Sequence, residues 1–127
     1  GHPEGCGFGR VGRLPEPLSP QGLAGHVSEA LGFPVRLVSD PAPGRPVERV
    51  AVLGGSGGSF LGRAAASGAD AYVTGDLSYH DALLAESLGL VAVDAGHAAT
   101  ELPSLAPLAK TLGERMDIPI SVSRVRR

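Results

Sequence analysis

Ala71-Tyr72-Val73-Thr74-Gly75-Asp76, then Leu77-Ser78, then Tyr79-His80-Asp81-Ala82-Leu83-Leu84-Ala85-Glu86-Ser87-Leu88-Gly89, is the stretch that decides the fold class. Ala71 to Thr74 is a short apolar run with β-formers, which fits a buried strand. Gly75 to Ser78 is polar and glycine-bearing, as a turn requires. Tyr79 to Leu88 is dense in helix-forming Ala and Leu, and Gly89 supplies a stop. Strand, turn, helix and glycine in immediate succession make the βα unit of a sheet covered by helices.

Working outward, the same unit recurs on both sides. Upstream, Val47 to Leu53 reads as a strand, Gly54 to Ser59 as a Gly/Ser loop, and Phe60 to Ser67 as a helix closed by Gly68. Downstream, Leu90 to Val93 reads as a strand. Thr100 to Met116 reads as a helix interrupted early by Pro103 and Pro107, and Ile118 to Val122 as a last strand. Nearer the N-terminus, Ser19 is an N-cap with Pro20 at the first helical position. Leu23, Val27, Ala30 and Leu31 follow at helical spacing, and Gly32 ends the run. Val35 to Val38 is a short strand, and Asp40 to Pro46 is a proline-rich turn. Residues 1–18 read as a linker, lead-in or extended edge. Residues 19–127 read as a single α/β domain, a parallel or mixed sheet with helices on its faces.

The chain has 127 residues, enough for one domain with a core of its own. Acids number 13 and bases 11, so the net charge of −2 carries no nucleic-acid footprint. The basic tip Arg124 to Arg127 reads as a solubilising tail. The single cysteine, Cys6, excludes an internal disulfide and fits a reducing compartment as a free thiol. No apolar run approaches the ~20 residues that span a bilayer, and the N-terminus shows no signal-peptide pattern. The expectation is a cytoplasmic protein with no membrane association.

In open α/β sheets, ligands gather where strands end and helices begin. Three such junctions follow one another: Leu53 to Ser59, Val73 to Asp76, and Val93 to His97. Polar and ionisable residues concentrate there while the strands stay apolar. Two junctions carry pairs spaced i, i+4: Asp76 with His80, and His97 with Glu101. If each pair straddles a first helical turn, its side chains point the same way. Imidazole nitrogen with carboxylate oxygen suits Zn²⁺, Mn²⁺ or Fe²⁺, although one pair supplies only two donors. A simple hydrogen-bonded helix pair is the alternative. Asp94 is expected to turn or cap the chain. The Gly loop has the layout of a phosphate cradle, with Gly55, Ser56 and Gly57 as its binding residues. Asp76 lies 21 residues past Gly55, the offset of a ribose-binding acid. However, Phe60 stands where a third glycine belongs, and no Gly-Lys-Ser/Thr follows.

At these residues the sequence resembles a known family. Ala51 to Ser59, Gly68 to Ala82 and Val93 to Glu101, in that order, are similar to the C-terminal signature of the Nif-three-like proteins, also labelled GTP cyclohydrolase I type 2 homologues. Gly7 to Leu14 resembles the start of that family's second half. The resemblance implies the C-terminal half of a larger two-part protein with two divalent metal ions per intact site. His97 and Glu101 match C-terminal metal ligands, and Asp76 and His80 match a motif beside the centre, as groups that orient the ligands or face the substrate and that could shuttle a proton. The remaining ligands, a consecutive His-His and an Asp, belong to an N-terminal half, and this chain contains no His-His. The resemblance further implies a homo-oligomer, a toroidal hexamer, a nucleotide or phosphate ligand, and a hydrolase opening a purine ring. Non-enzymatic metal handling or scaffolding is the alternative.

Overall fold

A computed structural model of the chain describes residues 7–123. Cys6 and the basic tip lie outside the described residues. The strands are β1 (Arg10–Leu18), β2 (Arg36–Ser39), β3 (Val47–Ser56), β4 (Ala71–Gly75) and β5 (Val91–Asp94). The helices are α1 (Pro20–Leu31), α2 (Leu61–Ala66), α3 (Tyr79–Ser87), α4 (His97–Glu101) and α5 (Leu105–Arg115). The strands form one sheet in the order β1-β3-β4-β5-β2.

Every position of β4 and β5 is buried. A central strand is covered on both faces, so it shows an unbroken apolar run in place of alternation. β3 pairs with β4, and β4 with β5, in parallel. β1 runs antiparallel on β3, and β2 antiparallel on β5. The sheet is therefore mixed, with helices on both faces. α1 seats Leu23 on one face among Val47, Val50, Val73 and Val93. α2 and α3 seat Leu61, Ala64 and Ala85 on the other, against Tyr72, Leu90 and Ala92. Burying a leucine such as Leu23, Leu61 or Leu90 contributes about 2 kcal/mol.

Local signals hold where the side chains act on their own backbone. Ser19 Oγ accepts from Gly22 N–H at 2.9 Å, with Pro20 opening α1 and Gly32 closing it. Ser78 and Asp81 form a reciprocal capping box at the start of α3.

The structure departs from the sequence-based expectation in four places. Residues 10–18 take the extended-edge alternative over the linker one and form a sheet strand, because Arg10 to Arg13 pair in register with Val52 to Arg49. β3 continues through Ser56, held by pairing of Ser56 with Gly75, and the loop shrinks to a 3₁₀ turn at Gly58–Phe60. The long C-terminal helix is two helices, starting at His97. Pro103 sits in a 3₁₀ turn, Leu102–Ser104, between them. Pro107 falls in the first turn of α5, where its missing N–H costs nothing. Finally, no strand forms at Ile118 to Val122, where Pro119 removes a ladder donor.

Among the described residues, apolar surface remains open on α5 and beside α1. No residue of α5 is buried, and Leu105 and Leu108 stand exposed. A groove of about 520 Å³ runs between α1 and the β1–β3 side of the sheet, lined by Leu14, Val27, Leu31, Val52 and Leu53 among others.

Candidate metal centre

Because β3, β4 and β5 run parallel, their C-terminal ends share one edge. Ser56 ends β3, Asp76 follows β4, and His97 opens α4 after β5. Buried Asp94 ties the last two junctions together. Its Oδ2 accepts from Leu77 N–H at 3.1 Å and pairs with Arg36 Nη2 at 2.9 Å, while Oδ1 accepts from Gly96 N–H at 3.0 Å. Asp94 thus organises the turn, as expected. Thr100 clips α4 to β3. Its Oγ1 accepts from Gly55 N–H at 2.8 Å and directs its own proton at the Gly96 and His97 carbonyls.

Two glycines make the close approach possible. A Cβ on Gly75 would lie 2.6 Å from the Gly96 carbonyl carbon and 2.7 Å from His97 N, backbone atoms that cannot swing aside. A Cβ on Gly55, whose φ is +79°, would lie 2.7 Å from Glu101 Oε1 and 3.3 Å from His97 Nε2.

The resulting cluster is compact. Ser56 Oγ donates to Asp76 Oδ2 at 2.5 Å and lies 3.1 Å from His97 Nδ1. Asp76 Oδ2 is 2.8 Å from the same nitrogen. On the far side of the ring, His97 Nε2 is 3.2 Å from Glu101 Oε1, the i, i+4 geometry of one helical turn. The hydrogen bond to Asp76, then the charge of Glu101, hold the His97 pKa above its usual value. The hydrogen bond from Ser56, then that from His97, hold Asp76 below the usual carboxylate range. His97 is 47% exposed and Glu101 55%, so solvent and ions reach both.

Chemically, Nε2 and Oε1 fit two positions of a divalent ion's shell, since both side chains are exposed and their donor atoms adjacent. Among the described residues no group of three or more His, Cys, Asp or Glu side chains is placed to hold a metal. The donor set therefore fits part of a site, because closed zinc sites take four ligands.

The expected residues are distributed unevenly. His97, Glu101, Asp76 and Ser56 come together. His80 does not pair with Asp76: Asp76 precedes the helix, at φ 54°, so the two never share a turn. The exposed His80 ring lies instead beside Tyr79, centroids 6.0 Å apart. Two amides of the expected phosphate cradle are already engaged, Gly55 N–H by Thr100 and Gly57 N–H by the Gly75 carbonyl at 3.4 Å. Thr100, Tyr72 and Thr74 were not legible as site residues. The Tyr72 and Thr74 hydroxyls donate to the carbonyls of Gly57 (2.8 Å) and Gly55 (3.2 Å), fixing the end of β3. The available signal was polar atoms on a buried strand, which need partners.

Comparison with known proteins gives a consistent picture. The family model described as Duf34/NIF3 (NGG1p interacting factor 3) matches residues 2–127. A protein of a Nostoc species named GTP cyclohydrolase 1 type 2 homolog is 40% identical over 109 residues, covering 85% of this chain and 41% of that protein. A Mycobacterium tuberculosis protein of the same name is 36% identical, covering 97% of this chain and 34% of its own. The crystal structure of a Bacillus cereus protein related to NIF3 superposes with a TM-score of 0.79 at 34% identity, covering 94% of this chain and 34% of that one. The chain thus spans well under half the length of these relatives. With three strand-end motifs, the mixed sheet and a family match along nearly its whole length, the chain belongs to the DUF34/NIF3 family.

Proposed function

We propose that this chain supplies one turn of helix, carrying His97 and Glu101, to a dinuclear divalent-metal centre of a hydrolase-like protein. One observation carries the reading: Nε2 and Oε1 lie side by side, 3.2 Å apart and exposed, at the sheet edge where the strands end. His97 Nε2 and Glu101 would hold one or both ions, Zn²⁺, Mn²⁺ or Fe²⁺. When bound, such a pair of ions supplies Lewis acidity and a lowered water pKa. Asp76 and Ser56 would steady the imidazole, and in a hydrolase Asp76 or His80 would be the proton carrier.

The remaining ligands would come from the part of the relatives' length that these residues do not span, within a homo-oligomer. The unburied apolar stripe of α5 supports a further protein surface against this chain. The relatives' name points to a nucleotide as ligand. Of the amides at the end of β3, those of Gly55 and Gly57 are engaged, so a phosphate group would rely on the metal ions. Metal handling without turnover is the second reading, favoured by the separation of His80 from the Asp76–His97 cluster.

Titration with Mn²⁺, followed by paramagnetic broadening of backbone amide signals, tests the reading even for weak sites. Broadening is expected at residues 54–57, 76 and 97–101, and its loss in His97→Ala. Unchanged broadening in His97→Ala, or broadening centred elsewhere, rejects it.

A further inference from the structure

His97 is gripped from behind. Ser56, Asp76 and His97 stand on three successive junctions, yet their polar atoms meet at one ring nitrogen. Resting on the metal-centre reading, we infer that Asp76, seated by Ser56, is the positioning residue of the centre. It accepts the Nδ1–H of His97 and so fixes both the tautomer and the ring, leaving Nε2 as the donor beside Glu101.

The chemistry of the contact sets its direction. An ionised carboxylate only accepts, so each carboxylate favours a proton on the nitrogen that it faces. Asp76 Oδ2 lies 2.8 Å from Nδ1 and Glu101 Oε1 3.2 Å from Nε2, so the closer contact keeps the single proton of the neutral ring on Nδ1. The Ser56 proton points at the same carboxylate, at 2.5 Å, so Ser56 faces Nδ1 with a lone pair. This arrangement is not that of a nucleophilic serine. In a Ser-His-Asp triad the imidazole bridges serine and aspartate through different nitrogens. Here both oxygens lie at Nδ1, and Nε2 faces Glu101.

The backbone supplies an independent observation. Asp76 is the one non-glycine among the described residues with a positive φ, 54°. Aspartate tolerates that region better than most residues but adopts it rarely, and such conformations persist where surrounding contacts enforce them. The neighbours do enforce it: Gly75 abuts the backbone of Gly96 and His97, and Asp94 holds Leu77 N–H. The same contacts that bend the chain at Asp76 bring its carboxylate to His97. Partners of this kind orient a ligating imidazole, and their loss lowers metal affinity by roughly 10–100-fold.

Long-range ¹H–¹⁵N correlation spectra of the metal-free chain, recorded where imidazole is neutral, read which His97 nitrogen bears the proton. Wild type is expected in the Nδ1–H form. Asp76→Asn is expected to keep it, since the amide carbonyl still accepts, and Asp76→Ala to shift toward Nε2–H. A wild-type His97 in the Nε2–H form overturns the inference by itself, even if the alanine variant fails to fold. So does a folded Asp76→Ala whose His97 signals match wild type. In a Mn²⁺ titration Asp76→Ala is expected to weaken binding at least tenfold, and unchanged affinity contradicts the positioning role. The tautomer measurement needs no metal, so failure of the metal-centre reading and failure of this one are distinguishable.

Discussion

Replacing Asp94 with alanine tests whether the site is organised from below. The carboxylate is 8% exposed and accepts three hydrogen bonds: from Leu77 N–H, Gly96 N–H and the Arg36 guanidinium. Alanine leaves the first two donors without partners in a region closed to most water. A buried orphaned N–H costs about 1–3 kcal/mol. Arg36 is 71% exposed, so losing that ion pair adds only about 0–1 kcal/mol. The expected loss is on the order of 2–7 kcal/mol, or roughly 8–25 °C in melting temperature for a domain of this size. Urea denaturation at neutral pH measures it, with Arg36→Ala as the control, expected to cost about 1 kcal/mol or less. Amide spectra of folded Asp94→Ala should show the largest shifts at Asp76 and His97, since both junctions lose their common anchor. A loss below about 0.5 kcal/mol, the level of an ordinary surface change, or shifts that spare those junctions, would refute the reasoning.

Gly55→Ala separates site from fold: forcing alanine to φ +79° should cost about 1–2 kcal/mol. Its Cβ, 2.7 Å from the flexible Glu101 carboxylate, should displace that group and abolish Mn²⁺ broadening; retained broadening contradicts the placement of the donors. The His97–Asp76 pair should also make stability depend on pH. Asp76, whose pKa is lowered from 3.8, contributes above that value and loses its contribution as pH falls through its folded pKa. His97, whose pKa is raised from 6.5, contributes below that value and loses its contribution as pH rises through its folded pKa. The urea midpoint difference between wild type and His97→Ala should therefore be greatest between 3.8 and 6.5 and shrink above; a difference that grows with pH reverses the sign and rejects the pair.

Much of this architecture is written locally. Ser19-Pro20, Ser78 with Asp81, and Gly32 act on their own backbone, so their positions mark helix ends without knowledge of the fold. The buried runs at Ala71 and Val91 likewise reveal central parallel strands. Other features depend on partners distant in sequence. β1 carries Pro15, Pro17 and two arginines, which resemble a linker, and becomes a strand only because β3 offers an unpaired edge. His97 and Glu101 were legible because their relation is helical and local. The partnership of Asp76 was not. Spacing pairs it with His80, whereas a positive φ and a partner 21 residues away decide its direction. Thr100 carries no local signal, because its hydroxyl accepts from an amide 45 residues earlier.

The shortness of α4 sharpens the point. Five residues make barely more than one turn, Gly96 gives no side-chain cap, and Pro103 follows within the next turn. Such a helix has no stability of its own, since nucleation is costly and propagation has no room to compensate. Its direction must come from outside, and four groups supply it: Asp94 at Gly96 N–H, Thr100 at Gly55 N–H, Gly75 against the His97 backbone, and Asp76 at the imidazole. Three of these restrain backbone and one restrains a ring. Among the described residues, the Glu101 carboxylate is held by His97 itself. On the proposed metal-centre reading, an imidazole held at Nδ1 beside a carboxylate with fewer contacts would suit ions that differ in size and coordination number, because the carboxylate could change its mode of contact while the nitrogen kept its place.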